Sequence, residues 1–121
     1  MKKNILVIDD DALALKMIVS ALGEAGYEVV ASTNFEDALR KARQTLPDLA
    51  LIDVVMPDIT GFEACHQIKE TFRPHPPPVI IMTGKLDAVD PIQARKMGAD
   101  DFVVKTSDMA VLVQAVRKIL L

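Results

Sequence analysis

The chain has 121 residues, half of them apolar and 4% aromatic, with a formal net charge of −3. That length suggests one domain spanning residues 1–121, which would bury about two-thirds of the surface its unfolded chain exposes. The acidic balance, the lack of a Lys/Arg cluster and the absence of tryptophan argue against a general nucleic-acid binder, and no apolar run approaches the ~18 residues of a membrane span.

The N-terminal segment MKKNILVIDDD carries two lysines and a short apolar run. The run meets three aspartates where an export signal needs small residues. The lone Cys65 cannot form an internal disulfide, which suits a reducing compartment. The expected location is therefore cytoplasmic.

Five short apolar runs alternate with helical patterns. Asn4 to Ile8 reads as a strand that runs into Asp9, Asp10 and Asp11. Leu15, Ile18, Leu22 and Ala25 then recur at helical spacing, with Asp11 as N-cap and Gly26 as the stop. Tyr27 to Ala31 reads as a short second strand, and its Glu28 suits an edge. Thr33 and Glu36 have the spacing of a capping box for a helix that uses Phe35, Leu39, Ala42 and Leu46 and ends at Pro47. Leu49 to Asp53 is apolar up to its last residue, as expected of a strand buried on both faces. After the loop VVMPDITG, a helix uses Phe62, Cys65, Ile68 and Phe72. RPHPPP reads as a stiff surface loop, because proline lacks a donor and restricts its predecessor. Val79 to Thr83 is the fourth strand. Asp90 and Pro91 read as N-cap and first residue of a helix that ends near Gly98. Phe102 to Lys105 is the fifth strand. Ser107 is the expected cap of a last helix that uses Leu112, Val116, Ile119 and Leu120.

Strictly alternating strands and helices predict an α/β fold with a parallel sheet and right-handed crossovers. Known doubly wound sheets of this size, the flavodoxin-like (βα)5 type, have the order 2-1-3-4-5 and bind ligands where the winding reverses, here between strands 1 and 3. Asp9, Asp10, Asp53, Thr83 and Lys105 each follow an apolar strand at its C-terminal end, so the order would gather them on one rim. Clustered carboxylates raise one another's pKa unless cations neutralise them. Lys105 supplies one positive charge, and a hard divalent ion such as Mg²⁺ would supply the rest. No His or Cys flanks these strand ends, which disfavours zinc. An aspartate can attack phosphorus when the phosphoryl oxygens are neutralised, and Thr83 with the Gly84 amide could share that task. Asp53 is the central candidate for the nucleophile.

With these residues in place, the sequence closely resembles the receiver domain of bacterial two-component response regulators. The motifs that carry the resemblance are ILVIDDD, LALIDVVMPDITGFE, VIIMTG and GADDFVVK. The resemblance implies a phosphoacceptor signalling switch rather than an enzyme. It assigns phosphorylation to Asp53, metal ligation to Asp9, Asp10, Asp53 and the Val55 carbonyl, and phosphoryl contacts to Thr83, Gly84 and Lys105. Phe102 is the implied aromatic partner of the Thr83 switch. The implied cofactor is Mg²⁺ or Mn²⁺. The implied partners are a histidine kinase or histidine phosphotransfer protein, and a downstream protein or attached output domain met through the face of helix 4, strand 5 and helix 5. A homodimer formed on activation is also implied, with no direct nucleic-acid or membrane contact.

Receivers usually carry proline after this lysine, often with a cis bond, and here the position is Thr106. A cis bond before a non-proline costs ~2.5–4 kcal/mol. Either the chain bears that strain, or the bond is trans and the loop differs. Val55 and Lys85 occupy positions that tune dephosphorylation in the family, and apolar Val55 predicts self-hydrolysis no faster than moderate. Cys65 and the methionines read as core, His66 and His75 have no nearby ligand set, Asp58 reads as a turn residue, and Asp100 and Asp101 read as solvated loop residues. Two rival functions remain at this level. One is a phosphatase of the haloacid-dehalogenase type with Asp9 as nucleophile, which usually needs more chain and a later acidic pair. The other is a docking module on the same fold that works without phosphorylation.

Overall fold

The computed structural model describes residues 2–84, 91–96 and 98–121. Strand β1 (Asn4–Ile8) leads to helix α1 (Ala12–Glu24), β2 (Glu28–Ser32) to α2 (Phe35–Gln44), and β3 (Leu49–Asp53) to α3 (Gly61–Thr71). Strand β4 (Val79–Thr83) precedes α4 (Pro91–Lys96), and β5 (Asp101–Val104) precedes α5 (Met109–Ile119). The strands form one parallel sheet in the order β2-β1-β3-β4-β5. The fold is thus the flavodoxin-like doubly wound type expected from the alternation, with β2 at an edge.

The apolar runs become strands because both faces of the sheet are covered. Every residue of β3 and β4 is buried. Alternate strand residues feed two cores. Leu6, Ile8, Ala50, Ile52, Val79 and Ile81 pack with Phe35 and Ala38 of α2 and with Ala64, Cys65 and Ile68 of α3. Ile5, Val7, Leu49, Leu51, Ile80 and Met82 pack with Ile18 and Leu22 of α1 and with Leu112 and Val116 of α5. Full burial of each Leu or Ile contributes about 1.5–3 kcal/mol. Cys65 is fully buried, and burial pushes its thiol up to about 11. Met56 and Met82 are core residues, whereas Met17 lies 41% exposed on α1.

Several local expectations are corrected. The N-cap of α2 is Asn34, whose side chain accepts from the Asp37 N–H, rather than Thr33 within a Thr33/Glu36 box. Asp37 instead accepts from the Ser32 hydroxyl and pairs with Lys41 at 3.0 Å, binding the end of β2 to α2. Helix α2 stops before Leu46, which is exposed. Asp108, not Ser107, caps α5 by accepting from the Ala110 N–H. Asp101 belongs to β5, and Asp100 is not simply solvated: its carboxylate accepts from Lys69 Nζ and from the Val79 N–H, each at 2.7 Å. Asp11 caps α1 as expected, and Gly26 follows that helix at φ +100°, a conformation that favours glycine. The Asp90 cap and Lys85 lie outside the described residues.

Candidate functional site

Parallel register sets the geometry of the C-terminal rim. Ile8 pairs with Ile52, so Asp9 and Asp53 are the next residues on adjacent strands. Asp53 pairs with Met82, so Thr83 lies one step beyond it on β4. Thr83 pairs with Val104, and Lys105 follows directly. The Lys105 N–H donates to the Thr83 carbonyl at 2.6 Å, tying the lysine backbone to the end of β4.

Carboxylate oxygens of Asp9, Asp10 and Asp53 lie within 4.8 Å of one another. Asp9 is fully buried, Asp53 is 5% exposed, and Asp10 is exposed. Lys105 Nζ donates to Asp9 Oδ2 at 2.9 Å and stands 3.5 Å from Asp53 Oδ2. The other Asp9 oxygen accepts from the Asp11 N–H at 3.0 Å, and the Asp9 N–H donates to the Ser32 carbonyl at 3.2 Å. Asp9 is therefore fixed from three sides. The Val55 N–H points at Asp53 Oδ1 at 3.5 Å, while its side chain is 60% exposed.

The electrostatics follow from this packing. Burial, then the charge of Asp9, raise the Asp53 carboxyl to about 7, against the opposing pull of Lys105. Burial alone would push the Lys105 ammonium down. Its hydrogen bond to Asp9 and the two nearby carboxylates outweigh that, and hold it above the ordinary lysine value. Three carboxylates cluster on this rim and the one ammonium pairs with two of them, an imbalance that a divalent cation would correct. An all-oxygen donor set with room for water suits Mg²⁺ or Mn²⁺. His66 and His75 are absent from this acidic group.

Thr83 is 3% exposed, and Gly84 follows it. Strand alternation puts Thr83 on the α3 side of the sheet, the side on which half-buried Phe102 packs, opposite Ile81. The Lys105–Thr106 bond is trans, the single cis bond among the described residues being Arg73–Pro74. Lys105 reaches both acids from that trans backbone, and the Thr106 hydroxyl donates to the Asp108 carbonyl within the same loop.

Two contributors escaped the sequence reading. One is the Val55 amide. The other is Gly61, the first residue of α3: a Cβ there would collide with the Asp53 carbonyl oxygen and lie 2.8 Å from Val54 Cα. The Gly61 N–H donates to the Val54 carbonyl at 2.9 Å. Its position directly after the Thr60 cap was the available signal, since a glycine at a helix start often marks a close backbone approach.

Sheet order, winding reversal and an acidic rim place the chain among flavodoxin-like proteins with a carboxylate cluster at the switch point. More narrowly, it belongs to the response regulator receiver domain family, whose model matches residues 5–117, and so to the signalling domains of two-component systems. It is 36% identical over 120 residues to the transcriptional regulatory protein AfsQ1 of Streptomyces coelicolor, covering 99% of this chain and 52% of that protein. It is 32% identical over 117 residues to protein PilH of Pseudomonas aeruginosa, covering 97% of each. The structure of response regulator TrrA from Thermotoga maritima, solved in complex with Mg²⁺–BeF, matches at a TM-score of 0.84 and 30% identity, covering 97% of this chain and 98% of that one. The chain spans about half the length of the first curated relatives it matches. No helix among the described residues is long and apolar enough to cross a membrane.

Proposed function

We propose that the domain is a phosphoacceptor switch that takes a phosphoryl group on Asp53 from a phosphohistidine of a kinase or phosphotransfer protein. An Asp53 carboxylate oxygen attacks phosphorus in line. The P–N bond breaks, and its electron pair returns to the donor imidazole. Lys105 binds a phosphoryl oxygen and shields the charge of Asp9. The Thr83 hydroxyl and the Gly84 amide bind further oxygens. Asp9, Asp10, Asp53 and the Val55 carbonyl would hold Mg²⁺ or Mn²⁺, which supplies the positive charge that three acids and a phosphoryl group require.

Phosphorylation draws Thr83 toward the new group, and Phe102 occupies the space it leaves. The α4–β5–α5 face then changes its preference for a downstream protein, an attached output domain or a second copy. This is a two-state equilibrium biased by new charge-assisted bonds. The observation that carries the reading is the Lys105 ammonium lying between buried Asp9 and Asp53, beside exposed Asp10.

Labelled phosphodonor with Mg²⁺ tests it. Asp53→Asn abolishes incorporation, whereas loss in Asp9→Asn with label retained in Asp53→Asn would favour the phosphatase. Lys105→Ala still folds and accepts label more slowly, and it loses the response of Phe102. Beryllium fluoride with Mg²⁺ shifts the NMR signals of Thr83 and Phe102. Silence of both signals would favour a docking module indifferent to phosphorylation.

A further inference from the structure

The chain leaving α4 is tied down at one small cluster. Lys69 of α3 donates from Nζ to the Pro77 carbonyl at 2.9 Å and to Asp100 Oδ2 at 2.7 Å. The same Asp100 oxygen accepts from the Val79 N–H at 2.7 Å, and the Asp100 N–H donates to the Val79 carbonyl at 2.8 Å. Gly98, at φ +95°, lies against Lys69: a Cβ there would stand 3.3 Å from Lys69 Cγ and 4.0 Å from Cys65 Sγ. One lysine and one aspartate thus join α3, the start of β4 and the turn between α4 and β5.

Such an ion pair contributes little when both partners face solvent. Here Lys69 is 21% exposed and Asp100 41%, and each also satisfies a backbone group. Removing either leaves a partly buried donor or acceptor unpaired. The cluster grips Val79, the first residue of β4, and Thr83 is the last residue of that strand. Anchor and switch hydroxyl therefore sit at opposite ends of one strand.

We infer that Lys69 and Asp100 are positioning residues that form a fixed pivot at the C-terminal end of α4. A helix held there answers a movement at Thr83 by swinging about the held end instead of sliding, which directs the change to the α4–β5–α5 face. The inference rests on the switch reading above.

Amide shifts and hydrogen exchange, recorded with and without beryllium fluoride and Mg²⁺, test it. In the unmodified protein, Thr83, Ile92 and Phe102 shift, while the Val79 and Asp100 amides keep their positions and their protection. Lys69→Met keeps the shift at Thr83, reduces the response at Ile92 and Phe102 by about half, and lets the disturbance reach Asp100. Lys69→Arg restores the original pattern. Should Lys69→Met fail to fold, Asp100→Asn, which keeps an acceptor for Val79, carries the same expectation. Val79 and Asp100 shifting as strongly as Phe102 in the unmodified protein overturns the pivot, as does an unchanged response in the variants. Silence at Thr83 and Phe102 in the unmodified protein overturns the switch reading and the pivot together.

Discussion

Asp53 carries its proton in the metal-free fold at a pH where a solvated aspartate has lost it, because burial and Asp9 raise its carboxyl from 3.8 to about 7. Between those values the folded state binds more protons than the unfolded state, so this group's contribution to stability falls as pH rises. Metal-free Asp53→Asn should therefore gain on the unmodified protein as pH climbs from 4 through 7. Paired thermal melts with chelator check this; parallel curves across that range would refute it. Gly61 matters for shape rather than charge. Gly61→Ala should cost about 1–3 kcal/mol in urea unfolding, since the backbone of β3 must retreat to admit a methyl group. The acids were legible in the sequence because each ends an apolar strand, and the parallel sheet leaves no other common rim for them. Gly61 was marked only by its place at a helix start, because its contact is between backbone atoms and leaves no periodic mark.

Elements were readable to within a residue or two wherever burial wrote a pattern. β1, β3 and β4 are the runs expected from their apolar residues alone. Caps were harder, because several polar side chains stand in line before each helix and backbone direction chooses among them. At α2, Asn34 accepts from the Asp37 N–H and Ser32 engages the Asp37 carboxylate, so the Thr33/Glu36 box does not form. Asn34→Ala should lower stability by about 1 kcal/mol. Thr33→Ala should change it by less than about 0.5 kcal/mol. Denaturant midpoints of the two variants separate the assignments, and a larger loss at Thr33 would restore the box. Asp100 is an exposed loop residue as expected, but its bonds to Lys69 and Val79 were unreadable for a related reason: a loop aspartate shows no partner until the strand beside it is known.

At the scale of the molecule, two cores cover the two faces of the sheet, and the acid cluster sits at the C-terminal ends of β1 and β3. A ligand that binds only the folded state stabilises it by mass action, so Mg²⁺ at about a hundred times its dissociation constant should add about 2.7 kcal/mol. Chelator should reverse the gain. Asp9→Asn or Asp10→Asn should blunt it, and an equal gain in either variant would move the ion elsewhere. The doubly wound order was legible from alternation plus known sheets, whereas the tie from α3 to the turn before β5 joins residues 31 apart that nothing local connects. The buried thiol of Cys65 lies under that tie, with a pKa near 11 and no other cysteine in the chain. Nature has thus installed a silent reporter: an alkylating reagent can mark this sulfur only after the packing around α3 opens. The pace of labelling, followed by mass spectrometry, clocks the breathing of that half of the protein without any engineered probe.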